Sequence, residues 1–240
     1  MVAETLTEAE WALREVADEA DACQACPLFQ QLEYVPGRKH LSVAGTGPSY
    51  AKVVVVGIAP GQDEADTGLP FVGMSGSVLD RLLPLAGLKR EDIFILNTVK
   101  HRPPKNRDPH VKELKACRRF LVRQLQALKP EVVITLGSLP MKVFLPKGQL
   151  TREHGKGRVV EWEGLKFVLF PSYHPAAASY DAKYWALMVQ DFGNYKQAVV
   201  EAELGGKAET METHYYLATG KEVYLTMKTV LGGCEHVSTF

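Results

Sequence analysis

The 240-residue sequence has no excess of charge of either sign and no long hydrophobic run. Its 28 Lys and Arg residues balance 28 Asp and Glu residues, so any surface that binds nucleic acid has to be a local patch. The apolar runs fall short of the ~18–20 residues that a membrane-spanning helix needs, which excludes a transmembrane protein. Hydrophobic residues make up 46% and charged residues 23%, a composition that excludes a fully disordered chain.

The N-terminal segment also lacks the features of a secretory signal. Residues 1–28 are acidic and helix-periodic, with neither the basic start nor the apolar stretch of such a signal. We therefore expect a cytoplasmic, reducing compartment. Cysteines are few, namely Cys23, Cys26, Cys117 and Cys234. In that compartment a C-x-x-C pair indicates a metal or redox site more than a structural disulfide.

A metal site that uses Cys117 requires the fold to bring this residue to the C-x-x-C pair. Three thiolates leave one ligand position open, for which His101 and Cys234 are the candidates. The alternative is that Cys117 is a small buried side chain on its helix and that Cys23 and Cys26 bind no metal.

Strand and helix patterns alternate along residues 1–203, which we expect to form one domain that includes the N-terminal cysteines. Continuous β-branched runs are typical of strands buried on both faces of a parallel sheet. Strands are expected at 52–57, 93–96, 131–137 and in a hairpin at 158–170, and helices at 5–22, 75–87, 111–128, 138–144 and 181–203. This alternation predicts a three-layer α/β/α sandwich with a mostly parallel central sheet. Residues 204–240 are expected to be a C-terminal extension, either a hairpin or a tail.

Three loops follow strands of this sheet, namely Gly57–Gly73, Asn97–Arg107 and the segment from His174. Ligands of parallel α/β sheets bind beyond the carboxyl ends of the strands, so the three loops are expected to form one pocket. It would combine an aromatic ring, an amide, an imidazole and carboxylates, carried by Phe71, Asn97, His174, Asp63, Glu64 and Asp66. Each residue alone is equally typical of a turn, a core or a cap, but their combination favours a ligand site.

A basic cluster lies beside the expected pocket. Lys100, Arg102, Lys105 and Arg107 stand close together in the second loop and would neutralise phosphates. The alternative is an ordinary solvated loop. The segment GMSGS, which carries Ser75 and Ser77, begins a helix and offers amides and hydroxyls to a phosphate.

The motifs CQACPL, VVVVGIAPG, TGLPFVGMSG, LNTVKHRPPKNR and SYHPAA, together with Cys117, resemble the uracil-DNA glycosylase superfamily. The resemblance covers residues 20–200 and is strongest to the iron–sulfur family 4 type, with the UdgX type near it. It implies a [4Fe–4S] cluster held by Cys23, Cys26 and Cys117. The position of the remaining family cysteine is His101 here, as in the UdgX type, so we expect His101 to be the fourth ligand. The UdgX insertion that traps DNA covalently is lacking.

The resemblance also implies the chemistry, which acts on a base flipped out of DNA. Phe71 would stack on that base, Asn97 would bind its edge, and His174 would face the carbonyl next to the glycosidic nitrogen. The expected protein is a monomeric, monofunctional glycosylase that hydrolyses the N-glycosidic bond of uracil or a related pyrimidine and leaves an abasic site in DNA.

One position departs from the family pattern, since GEAPG is replaced by GIAPG and a carboxylate is lost at Ile58. We place Ile58, Ala59 and Gln62 at the base and expect water handling to pass to Gln62, Asp63 or Glu64. The loss of this carboxylate leaves two alternatives open: a glycosylase for hydroxymethylated or glucosylated cytosine in phage DNA that acts in anti-phage defence, and a catalytically weak DNA-binding damage sensor. A separate third alternative is an iron–sulfur redox protein.

Overall fold

The computed structural model describes residues 6–29 and 42–204 and contains one five-stranded sheet. The strands are β1 (Val53–Gly57), β2 (Phe94–Asn97), β3 (Val132–Leu136), β4 (Arg158–Trp162) and β5 (Leu165–Ser172). Their order is β2-β1-β3-β5-β4. All pairs are parallel except the β4–β5 hairpin, so the prediction of a mostly parallel sheet is confirmed.

Eight α-helices surround the sheet in the described ranges. They are α1 (Glu8–Asp21), α2 (Gln62–Thr67), α3 (Met74–Leu82), α4 (Val111–Leu128), α5 (Ser138–Phe144), α6 (Leu150–Glu153), α7 (Ala182–Gly193) and α8 (Tyr195–Glu203). Short 3-10 turns lie at Pro27–Phe29, Leu83–Ala86, Arg90–Asp92, Pro104–Asn106 and Pro175–Ser179. In the same ranges no helix is both long and apolar enough to cross a membrane.

The alternation of side chains along the strands builds two cores, one on each face of the sheet. Val55 of β1 faces the core formed with α3, α7 and α8, whereas Val54 and Val56 face the core formed with α4 and α5. Both faces of the sheet are therefore covered, as expected for a parallel sheet. The predicted three-layer α/β/α sandwich is confirmed.

The N-terminal helix α1 packs on α4, with Val16 and Ala20 in a third apolar cluster. Thr7 and Glu10 form a capping box at the start of α1, which satisfies two backbone donors that the helix itself cannot pair. Arg123 of α4 donates to Glu19 at 2.6 Å and to Glu15 at 3.3 Å. The end of α1, and with it the C-x-x-C pair, is thereby held against α4.

The sequence prediction differs from the structure at several boundaries. The first loop contains α2, a short helix that its glycines and proline concealed. The helix predicted at 75–87 ends as α3 at Leu82 and continues as a 3-10 turn that contains Pro84, because proline has no N–H for the helical hydrogen bond. The helix predicted at 181–203 is two helices that meet at Asn194. The predicted extension at 204–240 falls outside the described residues apart from Leu204.

Candidate active site

The predicted pocket lies at the carboxyl edge of the sheet, where β1, β2 and β5 end. It encloses a cavity of about 430 Å³. The register pairs Gly57 of β1 with Asn97 of β2, and the polypeptide leaves β5 at Ser172, two residues before His174. The cavity lining includes Ile58, Ala59, Gln62, Asp63, Glu64, Phe71, Ser75, Asn97, Arg107 and His174.

Gly57 makes the back wall of the pocket possible. A Cβ at this position would collide with Oδ1 of Asn97 and would stand 2.7 Å from Cε2 of Phe71. The ring of Phe71 is 6% exposed and its centroid lies 5.9 Å from that of His174. The amide, the ring and the imidazole are therefore brought to one cavity.

Asn97 holds a buried polar atom that lacks a partner. The residue is 1% exposed, and within the described part of the chain its Oδ1 accepts no hydrogen bond. Buried polar atoms in proteins are nearly always paired, so an exception calls for a functional explanation. This amide oxygen is available to a ligand that carries an N–H group.

The protonation state of His174 follows from its contacts. Its Nδ1 accepts a hydrogen bond from the backbone N–H of Ala176 at 3.2 Å, so the hydrogen of the neutral ring belongs on Nε2. Burial lowers the pKa of His174 to about 4, although the charges of Glu64 and Asp108 act in the opposite direction. At neutral pH His174 is therefore an uncharged donor.

The two neighbouring carboxylates have different environments. Glu64 is buried, and its oxygens accept from the backbone N–H groups of Gly61 at 2.9 Å and of Val72 and Gly73 at 3.1 Å. Asp63 is exposed at the cavity, and no hydrogen bond to its carboxylate is found in the described residues. Glu64 thus joins the start of α2 to the loop after Phe71, whereas Asp63 is open to solvent.

The loop after β1 also places Ile58 in the cavity. A Cβ at Gly137 would stand 3.3 Å from Cδ1 of Ile58 and 3.5 Å from Cβ of His174. Gly137 therefore lies between Ile58 and His174, and both side chains line the same cavity.

The basic residues predicted to contact phosphates differ in how accessible their side chains are. Lys105 is exposed, and Arg102 is partly exposed and donates to Asn106 and Gln62. Arg107 forms a bidentate ion pair with Glu113 at 2.7 and 2.8 Å, which leaves it less available to DNA. The prediction for Lys100 is wrong, because its side chain is fully buried and no phosphate on the surface can reach it.

Three of the candidate metal ligands, all cysteines, lie together between α1 and α4. Cys23, Cys26 and Cys117 are free thiols in one apolar cluster between α1 and α4. Burial raises the pKa of Cys26 and of Cys117, and each thiol also feels the charge of Cys23. His101 is 5% exposed; burial lowers its pKa, and the charge of Asp21, two residues before Cys23, opposes that shift.

The thiols fit an iron–sulfur cluster by their chemistry, since the buried Cys23 and Cys117 and the half-buried Cys26 belong to one apolar cluster. Arg119 also donates to Sγ of Cys23 at 3.5 Å. No group of three or more His, Cys, Asp or Glu side chains in residues 6–29 and 42–204 is arranged to hold a single metal ion. Cys234, the other candidate ligand, lies outside the described residues.

Comparison with known proteins decides the family. A sequence model described as "Uracil DNA glycosylase superfamily" matches residues 44–200. The chain belongs to the uracil DNA glycosylase superfamily. The match spans β1 to α8 and so includes all three loops of the pocket.

Several curated members of the superfamily are similar over most of the chain. The "Type-4 uracil-DNA glycosylase" of Saccharolobus solfataricus is 39% identical over 207 residues, which are 84% of this chain and 90% of that protein. Proteins of the same name from Archaeoglobus fulgidus and Thermotoga maritima are 39% and 37% identical, and cover 70% and 67% of this chain and 83% and 80% of their own length.

The cavity contains the pocket residues that sequence analysis named, and it also contains residues that were missed, among them Asp108 and Tyr180. Asp108 lines the cavity and its charge acts on His174. Tyr180 lines the cavity mouth and is 88% exposed. Both stand in loops beside motif residues, so only their position in the sequence could have indicated them.

Proposed function

We propose that this member of the superfamily is a monofunctional uracil-DNA glycosylase. It binds a uracil that is flipped out of DNA, hydrolyses the N-glycosidic bond and leaves an abasic site. The observation that carries the proposal is the unpartnered Oδ1 of Asn97, which lies in one cavity with the ring of Phe71 and the neutral imidazole of His174. The names of the similar proteins support the same substrate.

Asn97 selects the base by hydrogen-bond complementarity. Its Oδ1 accepts the N3–H of uracil, and its Nδ2 donates to O4. Cytosine carries an acceptor at N3 and an amino group at C4. Its N3 would therefore face the acceptor Oδ1 of Asn97, and its amino group would face the donor Nδ2. Because a buried unpaired polar group is costly, this arrangement rejects cytosine strongly. Phe71 supplies the stacking surface.

His174 stabilises the leaving base. As the C1′–N1 bond breaks, negative charge develops on the O2 atom of uracil. The Nε2–H of a neutral His174 donates to this oxygen, and the interaction strengthens as charge accumulates. The backbone N–H of Ala176 fixes the ring in the required tautomer. A fixed donor of this kind needs no reorganisation during the reaction.

Asp63 is the carboxylate that we assign to the sugar side of the reaction. Its open oxygens can orient a water molecule toward C1′ and balance the positive charge of the oxocarbenium-like sugar. Glu64 has its oxygens occupied by backbone N–H groups, so we assign it a positioning role. Ile58 keeps the imidazole side of the pocket dry, and Ala59 and Gln62 complete the wall of the base site.

The DNA backbone is bound by side chains around the mouth of the pocket. We assign phosphate contacts to Arg102 and Lys105, with Ser75 and Ser77 at the start of α3 as neutral donors. Such contacts position the strand and carry no sequence information. The enzyme is proposed to act as a monomer, since the pocket is complete within one chain.

A [4Fe–4S] cluster would be held by Cys23, Cys26, Cys117 and His101. When bound, it supplies a rigid link between the end of α1, α4 and the segment that follows Asn97, with no part in the bond cleavage. A reducing cytoplasm would keep the thiols available for iron. The residues around the cluster exclude water and hold the second loop in place.

Base release from matched oligonucleotides tests the proposal. Duplex and single-stranded DNA that carry one uracil, thymine, hydroxymethylcytosine or glucosylated cytosine are incubated with the iron-loaded protein, and abasic sites are scored by alkali cleavage. Uracil release supports the proposal, with Asn97→Ala as a control that should release uracil far more slowly. Release of a modified cytosine alone would contradict it; the similar proteins named above give that anti-phage alternative no support. Affinity for uracil-containing DNA without turnover would indicate a damage sensor.

A further inference from the structure

Phe71 has an unusual backbone conformation. Its φ angle is 53°, in the left-handed region that side chains other than glycine rarely adopt. Such strained conformations persist only where the surroundings hold them, and they are concentrated at functional sites. The contacts that hold Phe71 therefore determine where its ring points.

One guanidinium group contacts the backbone on both sides of Phe71. Nη2 of Arg90 donates to the carbonyl oxygens of Pro70 and Phe71, each at 2.9 Å. Its Nη1 donates to Oδ1 of Asp80 at 2.7 Å. Arg90 begins the 3-10 turn before β2, and Asp80 belongs to α3. The residue thus links three separate segments of the chain.

These contacts restrict the backbone rotations φ and ψ of Phe71, which set the direction in which its side chain leaves the backbone. The carbonyl of Pro70 belongs to the peptide plane before Phe71, and the carbonyl of Phe71 belongs to the plane after it. The N–H of this second plane, on Val72, is also held by Oε1 of Glu64 at 3.1 Å. Both planes are fixed, so φ and ψ of Phe71 are fixed as well.

The start of α3 packs closely against the carbonyl group of Phe71. A Cβ at Gly76 would collide with the carbonyl oxygen of Phe71, so the absence of a side chain lets α3 approach the loop. On the other side, the ring of Phe71 rests against Gly57 of β1. The loop is held between these glycines, and Arg90 is the side chain that donates to its carbonyls.

We propose that Arg90 is a positioning residue of the base pocket, because its guanidinium holds the left-handed backbone of Phe71 and so keeps the ring in place to stack on a flipped base. The inference rests on the proposed function for its effect on catalysis. Its effect on the ring itself can be measured without any substrate.

Arginine suits this role better than lysine. A planar guanidinium presents several N–H groups in a fixed fork, whereas an ammonium is a compact charge. Arg90→Lys keeps the charge but cannot bind two carbonyls and a carboxylate in the same geometry. We expect it to behave like Arg90→Met, which keeps the apolar part of the side chain and removes the donors.

The ring is observed directly by ¹⁹F NMR with Phe71→4-fluorophenylalanine. The single resonance of the otherwise unchanged protein is expected to shift and broaden in Arg90→Met and Arg90→Lys. The matched control is Arg81→Met, which removes an exposed arginine that stacks on Trp185 at 4.4 Å and, among the described residues, is not seen to donate to the loop that holds Phe71. An unchanged resonance in both Arg90 variants would overturn the inference, whether or not the protein releases uracil.

The kinetic test compares single-turnover uracil release in Arg90→Met, Phe71→Ala and the double variant. A misplaced ring is expected to slow release on the order of 10²-fold, with little change in DNA affinity. If Arg90 acts through the ring, its loss adds almost nothing once Phe71→Ala is present. Multiplied effects of the two substitutions would contradict the inference. Should Arg90→Met fail to fold, Asp80→Asn loosens the same arginine and is expected to change the resonance and the rate in the same directions.

Discussion

The ammonium group of Lys100 donates to the backbone carbonyl of Asn97 at 2.8 Å. The lysine is fully buried, and this burial lowers its pKa to about 7, with the charge of Cys117 acting in the opposite direction. The same side chain therefore lies next to a candidate cluster ligand and holds the backbone of the residue that we propose to read the base. Its role is internal, in contrast to those of the basic residues that follow it.

The contrast between the buried Lys100 and the accessible Arg102 and Lys105 gives a prediction for DNA binding. Arg102→Ala and Lys105→Ala should each reduce the slope of log Kobs against log salt concentration by about 1, because each removes one phosphate contact. The measurement is a titration of uracil-containing DNA at several salt concentrations. Lys100→Met is the matched control, and a reduced slope in this variant would contradict the assignment.

A second prediction concerns the base-reading amide. Asn97→Ala should lower single-turnover uracil release on the order of 10²–10³-fold, the usual cost of losing a donor aimed at the reacting group. DNA affinity should change little, since phosphate contacts dominate it. Release rates and dissociation constants for the same oligonucleotide check this. Equal losses in both would show that Asn97 supports the fold of the DNA-binding loop and has no selective role.

A third prediction separates the two adjacent carboxylates. Asp63→Asn should slow release roughly 10²-fold and leave the melting temperature unchanged, because the carboxylate is exposed and has no hydrogen-bond partner in the described residues. Glu64→Gln places an amide against backbone N–H groups and should lower Tm by roughly 2–12 °C. Calorimetry and single-turnover kinetics on both variants test the division. Interchanged results would move the catalytic role to Glu64.

The fourth prediction is a pH dependence. Because the folded-state pKa of His174 is about 4, the neutral form persists through the range in which an ordinary histidine is protonated. The log of kcat/KM should therefore show no loss near pH 6.5 from this residue. A loss centred near pH 6.5 that disappears in His174→Gln would refute the assignment.

The same shift has a consequence for folding. Below pH 6.5 the unfolded chain binds a proton at His174 and the folded protein does not, so stability falls as the pH drops from 6.5 toward 4. Urea unfolding of the protein and of His174→Gln at pH 7 and pH 5 measures this. The variant should lose less stability over that interval than the protein with His174.

The fifth prediction concerns the iron site. Protein purified without oxygen should contain iron and acid-labile sulfide, and Cys117→Ser should lose most of both. His101→Ala should also lose iron, because the imidazole is the fourth proposed ligand. Full iron in His101→Ala together with loss in Cys234→Ala would assign the fourth position to the C-terminal segment.

Sequence reasoning found the strands and the pocket because both have strong local signals. The β-branched runs before Gly57 and Gly137 mark buried parallel strands, and the polar residues after β1, β2 and β5 follow from the rule for ligand sites in such sheets. The end of α4 at Leu128 agreed as well, since the hydrophobic period stops there.

The wrong prediction for Lys100 and the features that sequence analysis missed have a common physical cause, since all of them depend on tertiary contacts. The sequence shows the charge of Lys100 and so predicts a DNA contact, whereas its burial depends on tertiary packing, including its position next to Cys117 of α4. The role of Arg90 consists of contacts with backbone carbonyls, which no side-chain pattern indicates. Likewise, Glu64 accepts hydrogen bonds from three backbone N–H groups. The sequence around the two neighbouring carboxylates does not show that Glu64 has these partners and that Asp63, within the described ranges, does not.

The strand order β2-β1-β3-β5-β4 also determines when the site can exist. Gly57, Asn97 and His174 are distant along the chain and meet only through parallel strand pairing, which is slow because long loops must close first. During synthesis the segment with His174 leaves the ribosome after β1, β2 and β3. A chain interrupted before β5 carries Phe71 and Asn97 but lacks the imidazole of His174, so the complete base pocket forms only near the completion of the domain.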